Sequence, residues 1–488
     1  MAESQITIAD SLPDEKPQAS AAGPFAVVTS LFFFWGFITV MNDVLLPYLK
    51  ESFVLSYFQA GLIQFAFFSA FFVVSLIYYL ISLRGADPIQ RMGYKRLILV
   101  ALVICAAGCA LFWPASVTTS YPFFLGALFL LATGVTLLQI SANPYAAVLG
   151  KPENASARLN LAQGFNSLGT TLAPIAGGLL LYRVFASDDA NSLESVHTPY
   201  LIYAGMFLAL AVVVAFCKLP AIKSDQVATK ATSGALGFPQ LRLGMAAIFL
   251  YVGAEVAIGS YLINFISDPG VMGWAESIAS VYLAYYWGGA MIGRLCGAVA
   301  LRSGPSLAHK ATMMVLLACG LTILVYLMTG LRFEEGQLTI QLAPLASIAP
   351  FPALVAGCLA AFAFGKGCPA KTLACFSVCL IALLVVAATT GGQVAMWAAL
   401  GAGLFNSIMW SNIFTLSIDG LGEHTPQASS LLVMMIVGGA LFPLLMGRSA
   451  DLIGVRLSFL VPVISYFYIG FFGLWNAKRL ASKRGATA

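Results

Sequence analysis

The chain has 488 residues; 60% are hydrophobic, 9% are charged, the mean hydropathy is +0.90 and the formal net charge is +5. Soluble domains carry about a quarter charged residues, so this composition excludes a soluble enzyme or a free-standing signalling domain. Apolar runs of roughly 20 residues suit helices crossing a hydrocarbon core of about 30 Å, whereas a barrel would show short alternating segments; the chain is therefore expected to be an all-α integral membrane protein.

Residues 1–23 are polar, with Asp10, Pro13, Asp14, Glu15, Lys16 and Pro17, and lack the charged-then-apolar pattern of a cleaved signal. They read as a disordered cytoplasmic tail. Helices are expected near 24–49, 57–83, 96–116, 121–149, 160–184 and 199–219, which makes 24–219 a six-helix half. A polar linker, 220–238, contains Lys223, Asp225 and Lys230. The second half, 239–476, has runs near 240–266, 274–301, 310–330, 344–365, 370–390, 394–418, 427–447 and 455–476, and a basic tail, 477–488, closes the chain. That predicts fourteen helices, with both termini on one side.

Arg84, Arg91, Lys95 and Arg96, then Lys218, Lys223, Lys230 and Arg242, then Lys478, Arg479, Lys483 and Arg484 gather on the side of the termini and mark it as cytoplasmic. The positive balance is thus orientation, not a nucleic-acid footprint. The halves also echo each other. Leu97 to Gln139 runs helix, turn, glycine-containing helix and ends in a polar cluster, Gln139 to Asn143; Thr372 to Asn412 repeats the layout with a cluster from Asn406 to Asn412. If these segments correspond, about 306–367 is an inserted helical hairpin, and two parallel six-helix halves remain, the plan of a large class of secondary transporters with a site at the midplane.

Polar groups inside apolar runs are costly and usually have a task. Asp43 is the sharpest case: it lies in the run from Phe25 to Leu49, after Trp35, Gly36 and Asn42, and is a candidate for taking and releasing a cation. The other intramembrane polar residues are Gln64, Gln139, Ser141, Asn143, Gln163, Asn166, Glu255, Asn264, Arg294, Asn406, Ser407 and Asn412. Each amide alone could bond neighbouring helices. As a set, interleaved with Trp35, Tyr285, Tyr286, Trp287 and Trp410, they describe a cavity with hydrogen bonds for hydroxyls and flat faces for a sugar ring. Glu255 and Arg294 are read as gating or structural charges. Asn143-Pro144 is expected to break the fourth helix. The nine cysteines, mostly in apolar runs without His or carboxylate partners, read as small buried hydrophobes, not metal ligands. Gly365-Lys366-Gly367 lacks phosphate-loop spacing, so no ATP site or other cofactor is expected and transport would be driven by a gradient.

The loop from Arg84 to Arg96 loosely resembles the signature of the major facilitator superfamily between helices 2 and 3. More specific are Phe34-Trp35-Gly36 with Asn42 to Pro47, Ser141 to Tyr145, Arg158 to Gln163 with Phe165 to Gly169, Tyr251 to Ser260, Trp287 to Arg294, and Leu404 to Met409. On these residues the chain resembles the fucose:proton symporter family of that superfamily, in its glucose/galactose transporter branch. The resemblance spans most of residues 25–475 and departs from the family at the hairpin near 306–367.

The resemblance implies a twelve-helix core with alternating access, Asp43 as the helix 1 carboxylate for cation coupling, and Gln163 and Asn166 at sugar-contacting positions. Gln139 stands where the family's fucose symporter has a glutamate; it can bond a hydroxyl but cannot carry a proton, which leaves the coupling ion open between proton and sodium. The candidate substrate-binding set is Asn42, Gln139, Asn143, Gln163, Asn166, Trp287, Asn406 and Asn412. The expected function is cation-coupled import of a neutral, glucose- or galactose-type hexose by a monomer in a bacterial inner membrane. An N-acetylglucosamine or fucose permease is the nearest alternative, and efflux of amphiphilic drugs is the alternative from another class.

Overall fold

A computed structural model describes residues 22–54, 57–85, 87–179, 194–220, 234–334 and 337–486. Residues 1–21 of the expected tail, residues 180–193 and most of the linker therefore lie outside the described residues, and 22–23 already belong to the first helix. Among these residues fourteen long helical runs follow one another: α1 Ala22–Ser52, α2 Tyr57–Leu83, α3 Tyr94–Ala110, α4 Tyr121–Val148, α5 Ala155–Leu179, α6 Glu194–Phe216, α7 Pro239–Ser267, α8 Glu276–Ala300, α9 Leu307–Thr329 and α10 Pro350–Gly365. After these come α11 Pro369–Thr389, α12 in two pieces (α12a Gly392–Asn406, α12b Met409–Ile418), α13 in two pieces (α13a Thr425–Met434, α13b Gly438–Ile453) and α14 Val461–Ala486. The last helix runs on through Lys478 and Arg479, beyond the apolar stretch that announces it.

Among the described residues, twelve runs are long and apolar enough to cross a bilayer. Large apolar side chains such as Phe364 (77% exposed), Ile464 (73%) and Val378 (66%) stand on the outside of the bundle. In water such a surface would drive aggregation, whereas hydrocarbon is its natural solvent. The two runs outside the set of twelve, α5 and α8, pack on each other across the two halves.

Packing reproduces the repeat read from the sequence. In the first half α1 lies on α5, α2 on α4, and α3 between α4 and α6; in the second α7 lies on α13b, α8 on α12a, and α11 between α12a and α14. The third and fourth helices thus match α11 and α12, as the polar clusters suggest. The halves meet along α5 with α8 and α2 with α13a. Among the described residues the inserted pair, α9 and α10, packs chiefly on α8, α11 and α12a, so the hairpin is an outer addition to the second half. Its connection contains two short antiparallel strands, Leu331–Glu334 and Gln337–Ile340, which hydropathy alone did not announce.

Two expectations are corrected. Pro144 does not break α4: the helix runs from Tyr121 to Val148 with Pro144 inside it. A proline removes the bond to the carbonyl four residues back, and here that carbonyl, Ile140 O, accepts from Ser429 Oγ of α13a at 2.9 Å. The cysteines are also not uniformly buried: Cys105, Cys109, Cys296 and Cys358 are, but Cys319 is exposed on α9, where its neighbour would be lipid.

The basic turn after α2 is held by one carboxylate. Asp87 accepts from Ile89 N (2.9 Å), Gln90 N (3.1 Å), Tyr78 Oη (3.0 Å) and Ser82 Oγ (2.7 Å), capping the short helix Pro88–Met92. Gln90 Nε2 then reaches Glu423 O of the other half at 2.8 Å.

Candidate functional site

Helix α5 carries a stripe of polar residues at 156, 160, 163 and 167, a spacing of three and four that puts them on one face. That face meets the second half. Ser156 Oγ and Thr415 Oγ1 are 2.6 Å apart. Asn160 Nδ2 donates to Asn412 Oδ1 at 3.2 Å, and Asn412 Nδ2 donates to Pro369 O at 3.2 Å. One turn further, Asn143 Oδ1 of α4 receives both Gln163 Nε2 (3.5 Å) and the indole Nε1 of Trp410 (3.4 Å). Asn143 Nδ2 is tied to Gln139 O at 2.9 Å, while the Gln139 side chain is only half-buried.

Asn166 lies beside this stripe and faces α1, where its Nδ2 donates to Phe32 O at 3.0 Å. The two helices come that close because residue 36 is glycine: a Cβ there would sit 2.5 Å from Asn166 Nδ2 and from Asn166 O. Asn42 and Asp43 fall on α1, but their side chains lie outside the described residues, so the candidate cation-coupling group is placed by helix only.

Above the amide seam lies a charged one. Arg294 of α8 donates through Nη1 to Ser167 Oγ of α5 (2.5 Å), through Nε to Ser407 O (3.2 Å), and through Nη2 to Glu255 Oε1 of α7 (3.4 Å). Tyr251 Oη holds the other oxygen of Glu255 at 2.7 Å. The guanidinium reaches Ser407 because α8 and α12 touch backbone to backbone: a Cβ on Gly293 would lie 2.7 Å from Leu404 O. Ser407 is at the break between α12a and α12b, where carbonyls lose their helical partners, and Arg294 takes one of them.

Asn406 belongs to a different cluster. It is fully buried, donating to Tyr286 Oη (3.0 Å) and accepting from Tyr466 Oη (2.7 Å), while Tyr286 Oη donates to Glu255 O (3.1 Å). Trp287 is half-buried beside Tyr286, with ring centroids 5.0 Å apart. The structure therefore brings Asn143 and Gln163 together, leaves Gln139 joined to Asn143 only through its backbone carbonyl one turn back on α4, places Asn412 one turn below and Asn166 beside them, and seals Asn406 among tyrosines. Asn160, Ser167 and Tyr251 complete these networks and were not in the predicted set, whereas Trp410 was already named as an aromatic of the expected cavity. The stripe at 156, 160, 163 and 167 is the sequence signal that exposes two of them.

Hydrogen bonds join the halves on the linker side and at mid-depth: Gln90 to Glu423, Ser303 to Asn154 (2.6 Å from N, 2.8 Å from Oγ), the seam along α5, and Ser429 to Ile140. The two halves are thus shut at the end where α6 leads into α7. No group of three or more His, Cys, Asp or Glu suited to a metal occurs among the described residues.

Comparison with known proteins agrees with this architecture. The model of the Major Facilitator Superfamily matches residues 26–365. The glucose/galactose transporter of Brucella abortus is 42% identical over 454 residues, covering 92% of this chain and 93% of the relative. The L-fucose-proton symporter of Escherichia coli is 29% identical over 480 residues, covering 93% of each. Solved structures of the fucose:proton symporter FucP, one in the outward conformation, give a TM-score of 0.71 at 28% and 29% identity, covering 94% of this chain and 99% of theirs. The chain belongs to the Major Facilitator Superfamily and, within it, to the fucose:proton symporter family in its glucose/galactose transporter branch.

Proposed function

We propose that this protein imports a neutral hexose of the glucose/galactose type across the bacterial inner membrane by alternating access, coupled to a cation, with the proton as the coupling ion. The observation that carries the reading is the amide cluster Gln163, Asn143 and Trp410 on the seam between halves, in a chain 42% identical to a glucose/galactose transporter. Such a cluster offers donors and acceptors to hydroxyls and an aromatic face to a pyranose ring. Both of its long bonds, 3.5 and 3.4 Å, are contacts that a sugar hydroxyl can replace with little loss.

In this reading Gln139, Asn143, Gln163, Asn166 and Asn42 contact the sugar and Trp287 stacks near it. Asn412 and Asn406 support the seam from the second half. Asp43 carries the coupling cation, both termini face the cytoplasm, and the side shut by the seam is the cytoplasmic one. The proton is favoured because a family member 29% identical is named a proton symporter.

The test is uptake of labelled glucose and galactose into proteoliposomes under an inward proton gradient, an inward sodium gradient or neither, with membrane potential clamped. Accumulation driven by protons is expected, and Asp43→Asn should abolish it while sugar exchange persists. Gln163→Ala should weaken sugar binding without lowering the melting temperature of the unliganded protein. Failure of glucose, galactose and fucose alike to exchange would refute the sugar reading.

A further inference from the structure

We propose that Glu255 carries a proton in the transport cycle, and that its release is controlled by competition for the Arg294 guanidinium between Glu255 and Ser167. The proposal rests on the reading above as a proton-coupled carrier and adds a coupling group to it. Three observations carry it. Glu255 is a carboxylate buried inside α7, with 12% of its side chain exposed. Its partner cation belongs to the same half but bonds across to the other, at Ser167 Oγ. In this conformation the guanidinium is divided between Ser167 Oγ across the halves and Glu255, to which its contact is long, 3.4 Å.

A buried guanidinium needs acceptors, and its strongest available acceptor is an ionised carboxylate. With the halves shut on the linker side, Arg294 is shared among Ser167, Ser407 O and Glu255, and the carboxylate is held mainly by Tyr251. A proton arriving from the far side can then settle on Glu255 Oε1. When the halves part on the linker side, Ser167 leaves with α5 and the freed N–H turns to Glu255. The ionised form becomes favoured, and the O–H bond breaks with its proton passing to linker-side water. By reciprocity, protonation of Glu255 favours the conformation in which Arg294 is shared with Ser167, which is the one seen here.

The groups facing Glu255 from the packed elements are few. Helix α7 itself gives Tyr251, α8 gives Arg294 and Tyr286, and α14 gives Tyr466 through Asn406. Helix α12 brings Asn406 and Ser407, and α13b brings Phe442 against Gly253 and Gly439 against Val252 and Val256. Among the described residues, Glu255 is thus the one carboxylate in this cluster, at the end of a connection that crosses the halves. In this scheme Arg294 and Ser167 are positioning residues.

The experiment uses the full chain in proteoliposomes loaded with a pH-sensitive dye. In Glu255→Gln, sugar-induced proton influx should fall at least about tenfold and accumulation should collapse, while sugar counterflow continues; Glu255→Asp should restore part of the proton influx. In Ser167→Ala the guanidinium is free to hold Glu255 even when the halves are shut. The pH midpoint of proton-driven uptake should then move to more acidic pH, by about one unit for a tenfold shift in proton affinity. Wild-type proton influx in Glu255→Gln overturns the proposal. Loss of counterflow in that variant, together with an unmoved midpoint in Ser167→Ala, also overturns it and assigns the pair a structural role. Absence of sugar counterflow in the unsubstituted protein would instead sink the sugar reading.

Discussion

Asn160→Ala tests whether the seam along α5 holds the linker side shut. Asn160 Nδ2 donates to Asn412 Oδ1 at 3.2 Å and to Ser156 O at 2.8 Å, and it is fully buried. Removing it deletes a bond between halves and leaves Asn412 Oδ1 without its donor in the shut conformation only, because opening lets water in. Interhelical side-chain hydrogen bonds in membranes average about 0.6 kcal/mol and reach about 1.7, and a stranded buried acceptor costs about 1–3 kcal/mol. A shift of about 1–2 kcal/mol against the shut state is therefore expected, or roughly 5- to 30-fold in its equilibrium with the open state. Spin labels at Glu153 and Glu423, exposed residues on linker-side turns of opposite halves, report it. The long-distance population should rise in Asn160→Ala, and Asn160→Ala combined with Asn412→Ala should be less than additive. An unchanged distance distribution would refute the claim that this bond contributes to closure.

Three further perturbations follow from the same geometry. Gly36→Ala places a methyl 2.5 Å from Asn166 and should lower stability by about 1–3 kcal/mol, read as a fall in melting temperature, whereas Gly126→Ala, with nothing within 4 Å, should not. Ser429→Ala strips Ile140 O of its donor at a cost of about 1 kcal/mol; adding Pro144→Ala supplies a backbone N–H to that carbonyl and should recover part of the loss in the same labelling experiment. Asp87→Ala removes four hydrogen bonds at the turn after α2 and should cost about 1–2 kcal/mol of local stability, measured by faster amide exchange at Ile89 and Gln90. Exchange at wild-type rates there would show that Pro88–Met92 does not depend on its cap.

The chain's own pattern determined its spans, their number and the repeat. A bilayer core obliges every backbone group to bond within its own helix, so an apolar run of sufficient length is almost a direct reading of a helix. The matching polar clusters at 139–143 and 406–412 were enough to identify α9 and α10 as an insertion, because the cost of burying such groups makes their position informative. Asn143 and Gln163, which the structure bonds to each other, both belong to the candidate set read from the sequence, since each is an amide where hydrocarbon would be cheaper.

What each polar residue touches was decided by the tertiary structure. Pro144 predicts a break when only its own helix is considered, but Ser429, 285 residues later, satisfies the carbonyl that the proline frees. Asn406 and Asn412 look equivalent in the sequence, yet the first is enclosed by Tyr286 and Tyr466 and the second faces Asn160, because they lie on opposite sides of the break in α12. Arg294 reads as a charge in a helix; only the close approach of α8 to α12 at Gly293, and of α8 to α5, lets one guanidinium join Glu255, Ser407 and Ser167. These outcomes depend on how far each helix is rotated about its axis and how closely its glycines let it approach its neighbours. Both are properties of pairs of helices, which the order of residues along one helix does not record.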